Sequence, residues 1–355
     1  MTLALLVALT LCASSSDAKE ARRQKLRQQV LNEMRSSPLR KATHWPTLGE
    51  RQTPKLVPAG ADVIRYVLID NVLNGFPERP RPSGDPTMQR DLVEAWSTLP
   101  PRVRELAETR VPAIFLVEDL GGSAYTETIK NKAGVSVGAF LVVDAKAMAR
   151  PSNEWMSWKE NTPFAPGPLK LRARISGDES TERVSSVRYL LLHELGHVLG
   201  ETAGAHPPWG PAGDVGEIDL KDFPFLQLGW VEQEVGLSTR FERGRPGAFR
   251  YYQPEERRMK NGTMAPSYRW LQGTSFATLY SLNSIFDDFA EAFANYVHVV
   301  MLDAPYGIEI SDESGSVLVR YRSCWDEPRC AAKRAFLESF LAPKALPAAR
   351  PVKLE

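Results

Sequence analysis

His193-Glu194-Leu195-Gly196-His197 sets two imidazoles four residues apart, with a carboxylate beside the first. On a helix that spacing puts both rings on one face, where they can share a single metal ion while the glutamate reaches a water held next to it. Zinc lowers the pKa of its water towards neutrality, and a neighbouring carboxylate can then take the proton as the water attacks a polarised carbonyl. These residue types point to metal-assisted hydrolysis with Glu194 as general base. Histidine is otherwise scarce, the only others being His44, His206 and His298.

A catalytic zinc takes three protein ligands and keeps one position open. The pattern H-E-x-x-H-x-x-G-x-x-H would supply the third at once, but here Gly200 fits the glycine and Ala203 stands where the last histidine belongs. His206 lies three residues further on and needs a different loop path to the metal. The stronger candidates come in the stretch from Tyr280 to Tyr296. Tyr280, Asp287 and Glu291 are spaced seven and four apart, which sets a phenol and two carboxylates on one face of a second helix. A carboxylate facing two histidines completes a zinc shell, another one turn away can hold a ligand histidine by its free N–H, and a phenol can donate to an oxyanion.

The pairing of His193-Glu194-Leu195-Gly196-His197 with Tyr280 and Asp287-Asp288-Phe289-Ala290-Glu291-Ala292-Phe293 resembles the gluzincin metallopeptidases, in particular the catalytic domain of the anthrax lethal factor type. The resemblance implies His193, His197 and Asp287 as zinc ligands, Glu194 as general base, Tyr280 as the donor to the transition state, and Glu291 beyond the ligands. Glutamate is the usual ligand in that family. Asp287 is one methylene shorter, which leaves Glu291 as the alternative third ligand. The implied fold is α+β and zincin-like, with a small mixed sheet over an active-site helix and a mainly helical C-terminal lobe.

Elements able to position these groups are legible in the surrounding sequence. Val184, Val187, Leu190 and Leu191 continue into the motif at helical spacing, so a metal helix is expected over about 184–199, with Gly200 as a left-handed stop. The carboxylate helix is expected over about 280–300. Residues 91–96 and 99–106 read as two short helices broken at prolines, and the branched apolar runs 111–117 and 135–143 read as strands. A strand at a sheet edge can pair with extended peptide, which gives the sheet a role in substrate binding by analogy with the family. Between the metal-binding stretches, an insert over about 207–278 is rich in Gly, Pro and aromatic residues, a place for selectivity or for a satellite core. Its Asp214, Glu217, Asp219 and Asp222 lack the glycine-centred spacing of a calcium hand.

Composition sets the remaining bounds. The 355 residues are 43% hydrophobic, enough for a full core, and 44 basic against 43 acidic residues leave a net charge of +1, which gives no global field towards nucleic acid. Residues 1–18 read as an export signal, built on the apolar run Leu3–Leu11, with Cys12 raising a lipid anchor as an alternative. That run is too short to span a bilayer. Residues 19–60 read as a basic, proline-broken arm or linker, 61–342 as the metallopeptidase domain and 343–355 as a tail. Cys324 and Cys330 enclose a loop short enough for a disulfide. The expectation is a secreted, periplasmic or cell-envelope zinc (Zn2+) metallopeptidase acting on peptide or protein. Two rivals stand beside it: a zincin-fold surface or toxin-associated binding protein without turnover, and a zinc amidohydrolase acting on cell-wall peptide links.

Overall fold

Residues 136–144 alternate cleanly, Ala139, Leu141 and Val143 facing one way and Phe140 and Val142 the other, and all five are buried. A strand covered on both faces belongs in the middle of a sheet. The computed structural model, which describes residues 16–177, 181–210, 218–234, 236–344 and 346, places it there. The stretch Leu3–Leu11, Cys12, Asp214, Glu217 and most of the 343–355 tail lie outside the described residues.

In chain order the helices are α1 (Ser16–Ser36), α2 (Ala61–Asn74), α3 (Pro86–Ser97), α4 (Pro101–Glu108), α5 (Ser152–Asn161), α6 (Val184–Thr202), α7 (Met264–Leu271), α8 (Ile285–Tyr296) and α9 (Ala331–Leu341). The strands are β1 (Lys55–Pro58), β2 (Arg81–Pro82), β3 (Ala113–Glu118), β4 (Ala124–Lys130), β5 (Ser136–Asp144), β6 (Lys170–Arg174), β7 (Trp230–Glu232), β8 (Leu237–Thr239), β9 (Gly307–Ser311) and β10 (Val317–Arg322). The architecture is α+β. Its main sheet runs β1-β3-β5-β4, with β1, β3 and β5 parallel, β4 antiparallel to β5, and β2 added to β3. A second, antiparallel sheet runs β10-β9-β6, so the C-terminal part pairs back onto the chain before the metal helix.

The main sheet separates two cores. On one face, Tyr66 and Val67 of α2 and Met34 of α1 cluster with Val117, Phe140 and Val142; on the other, Leu116, Leu141 and Val143 belong to the main core, where α6 packs over β4 and β5 and α3 packs against α6. Residues 55–58 fall within the stretch read as an arm, yet they pair with β3 as a sheet strand. Pro54 before the strand and Pro58 at its end hide it in the sequence, because proline cannot donate to a ladder and within a sheet is found mainly on edge strands such as this one.

Helix α6 runs through the expected stop at Gly200 to Thr202, and the left-handed residue is Gly204, at φ +66°. Gly200 is required for another reason. A Cβ there would strike the His206 ring, and one at Gly196 would stand 2.6 Å from Ala290 Cα. Gly196 lets α6 touch the backbone of α8, and Gly200 makes room for the His206 and Phe289 rings. The second helix also departs from expectation: Tyr280 sits in a separate 3-10 turn (Tyr280–Leu282), and α8 begins only at Ile285.

Gly196→Ala should therefore lose more from the clash than the helix gains in propensity, for a net cost of about 1–3 kcal/mol. Thermal unfolding by circular dichroism checks this, and a raised midpoint would show that the helices separate freely.

Candidate metal centre

His193 and His197 lie on the buried face of α6, and α8 brings Asp287 opposite them. His193 Nε2 and His197 Nε2 are 3.1 Å apart, and Asp287 Oδ1 is 3.6 Å from each. A tetrahedral zinc with bonds near 2.0–2.1 Å needs ligand atoms about 3.3 Å apart, so this triangle has the size of one face of that tetrahedron. Among the described residues these three form the group able to hold a metal ion.

Local chemistry explains why Asp287 presents one oxygen. Ser284 caps α8: its hydroxyl accepts from the Asp287 N–H at 3.0 Å and donates to Asp287 Oδ2 at 2.6 Å, while Asn283 Nδ2 donates to the same oxygen at 2.8 Å. Ser284 and Asp287 have the spacing of a capping box, with aspartate in the third helical position, but the carboxylate accepts from the serine hydroxyl and not from the backbone N–H of the cap. Oδ2 is filled and Oδ1 is left towards the histidines. Burial alone would push this carboxyl up, but the facing His197 and His193, with Ser284, outweigh it and hold it below its ordinary range.

Glu291, one turn along, is used differently. Its Oε1 stands 3.1 Å from His193 Nδ1 and 3.1 Å from Lys159 Nζ, and its Oε2 accepts from Thr278 Oγ1 at 2.8 Å and Tyr189 OH at 3.1 Å. Four partners saturate a carboxylate. Burial opposes ionisation here too, and Lys159 and His193 reverse it, driving the Glu291 carboxyl well below its usual range.

Glu194 lies beside the histidines with Oε2 accepting from Thr126 Oγ1 of β4 at 2.5 Å. Tyr280 packs edge-on to His193 with ring centres 5.4 Å apart, and burial, followed by the charge of Asp287, raises its phenol far above the ordinary range, so it stays a donor at neutral pH. Glu194, Tyr280, His193, His197 and Asp287 all line one cleft of about 350 Å³, together with Thr126 and Trp209. His206 is not part of this group. It is buried against the Gly200 face of α6 with Nδ1 2.8 Å from Pro207 O, and burial lowers it to about 3.

The structure adds residues that the sequence did not single out: Thr126, Asn283, Ser284, Thr278, Tyr189 and Lys159. Ser284-x-x-Asp287 was readable as a cap signature. Lys159 and Thr126 come from distant elements with no motif around them. Cys324 and Cys330 are joined as a disulfide. Among the described residues, no helix is long and apolar enough to cross a membrane.

The chain matches no family model, no curated protein and no solved structure. The reading of the cleft rests on its own geometry.

Asp70 of α2 also lines this cleft, and burial, then the neighbouring Glu127, push its carboxyl up to about 7. The folded protein holds that proton more tightly than the unfolded chain, so Asp70 favours folding below about pH 4 and the benefit is lost as pH rises through about 7. Asp70→Asn should accordingly flatten the fall in melting temperature between pH 5 and pH 8. Parallel slopes for wild type and variant would overturn this.

Proposed function

We propose that the chain is an exported, zinc-dependent metallopeptidase of zincin-like fold, similar to the gluzincins of the anthrax lethal factor type. One observation carries the reading: three donor atoms with the separations of a zinc site share a cleft with a clamped glutamate and a protonated phenol. His193, His197 and Asp287 would hold the ion, and their donor set of two imidazoles and one carboxylate suits zinc. When bound, zinc supplies Lewis acidity to a carbonyl and acidity to a water.

The remaining steps belong to side chains of the chain. Glu194, which lines the cleft, takes the proton of the attacking water and delivers it to the leaving amine, with Thr126 fixing one of its oxygens. Tyr280 donates to the oxygen that becomes negative in the tetrahedral intermediate. An extended peptide can lie along the edge of β4, which pairs on its other side with β5, as far as Lys130, where Lys41 takes up the edge. The Cys324–Cys330 disulfide accords with an oxidising, extracellular or envelope location. Glu194 also argues for turnover over the binding-protein reading, since holding a metal needs no base.

Glu194→Gln should keep zinc and lose hydrolysis of an unstructured peptide by about 10²–10⁴-fold. Asp287→Ala should lose the metal itself. Zinc content by elemental analysis beside a peptide-cleavage assay reads both. A wild type that folds without zinc, or a Glu194→Gln protein as active as wild type, would sink the peptidase reading. Cleavage confined to cell-wall peptide links would favour the amidohydrolase.

A further inference from the structure

Lys159 is a buried cation that the proposed hydrolysis leaves without a task. It sits on α5 with its side chain almost wholly enclosed, and burying an ammonium costs several kcal/mol unless it is well paired. Its Nζ stands 3.1 Å from Glu160 Oε1 and 3.1 Å from Glu291 Oε1. The same atom lies 4.3 Å from the centre of the Tyr280 ring and 5.6 Å from that of Tyr251. Glu160 is held from its other side, with Oε2 accepting from Tyr268 OH at 2.7 Å and Tyr251 OH at 3.0 Å. The ammonium therefore rests on an anchored carboxylate and meets the Glu291 carboxylate and the Tyr280 ring at once.

We propose that Lys159 is a positioning residue of the metal centre, clamping Glu291 Oε1 against His193 Nδ1 and seating the Tyr280 ring. The neutral donors Thr278 and Tyr189 reach only the far oxygen, Oε2. Of the two oxygens, Oε1 is the one that orients the histidine, and besides His193 it has Lys159 as its partner. Carboxylates that hold a ligand histidine by its free ring nitrogen typically change metal affinity 10–100-fold when altered. Lys159 acts on that same contact from one residue further out. The cation over the ring face adds an electrostatic attraction that favours one placement of the phenol. Lys159 also lines the second cavity, of about 200 Å³, which adjoins the metal cleft at His193, Glu194 and Tyr280.

This inference rests on the reading of His193, His197 and Asp287 as the metal site, and the test separates the two. Zinc affinity is measured by competition with a chromophoric chelator for wild type, Lys159→Met, Glu291→Gln and the double variant Lys159→Met/Glu291→Gln. If wild type binds no zinc, the metal-site reading falls. If wild type binds and Lys159→Met binds equally well, the positioning role falls alone. The expected result is a loss of about 10–100-fold for Lys159→Met, the range seen when groups behind a ligand histidine are removed. Because the lysine acts through Glu291, the double variant should bind about as tightly as Glu291→Gln. A merely structural lysine would give additive losses, so a further loss of tenfold or more in the double variant would overturn the proposal. Should Lys159→Met fail to fold, Lys159→Gln, which removes the charge but keeps a polar head, is measured in its place with Glu291 intact, and a zinc affinity equal to that of wild type would overturn the proposal. Cobalt substitution gives a second readout: the visible spectrum should change in Lys159→Met and in Glu291→Gln alike, and an unaltered spectrum in Lys159→Met would count against the clamp.

Discussion

The backbone contact between α6 and α8 is the constraint to which the rest of the cleft is referred. Gly196 faces Ala290, and Gly200 faces Phe289 and His206, so the helices approach to a distance that any side chain on those positions would prevent. A donor triangle with sides of 3.1–3.6 Å tolerates little slip between its two supports. Packing around the contact resists that slip: Phe225, Phe336 and Phe340 surround Phe289 at ring separations of 5.0–6.4 Å, behind the face that carries the carboxylates. Interiors packed this densely transmit displacement instead of absorbing it.

Around that contact the polar groups are distributed by how completely each is satisfied. Glu291 has partners on both oxygens and acts as an anchor; Asp287 has one oxygen filled by Ser284 and Asn283 and the other directed at the histidines. Two carboxylates of similar burial on one helix thus take different parts because their neighbours differ. Asp288, between them, points to the other side of α8, where Lys333 and Trp230 bind it. Three buried acids within five residues are sustained only because each meets its own donors, since an unpartnered buried charge would cost several kcal/mol.

The sheet links this centre to the N-terminal residues. Successive side chains of β4 point to opposite faces, so Thr126 reaches Glu194 while Glu127 turns towards α2. Glu127 accepts from Tyr66 OH at 2.5 Å and Tyr125 OH at 2.9 Å, and its Oε1 lies 3.2 Å from Arg40 Nε. Arg40 belongs to the stretch that reads in sequence as a peripheral arm. Its burial against Glu127 ties that stretch to the strand that orients the general base of the proposed reaction.

Spacing within single elements was legible from the residues alone. His193 and His197 share a helix face because four residues make about one turn, and β3 and β5 stand out because central strands are apolar on both sides. Type and spacing put Asp287 and Glu291 on one helix face as carboxylate candidates, while the choice of Asp287 and the α+β class came from the family resemblance. The sequence could not say that Asp287 and not Glu291 presents a free oxygen, since that depends on donors from Thr278, Tyr189 and Lys159, which arrive from other segments. Nor did an apolar run mark β4, whose buried Thr126, Glu127 and Thr128 are polar and whose Thr126 and Glu127 find partners on α6, on α2 and at Arg40. Gly200 was read as a helix end because local rules see only backbone freedom, whereas its place is set by a ring packed against it from six residues away. Periodicity is a property of the chain; which polar atom remains unfilled is a property of three-dimensional neighbours, and only the tertiary structure decides it.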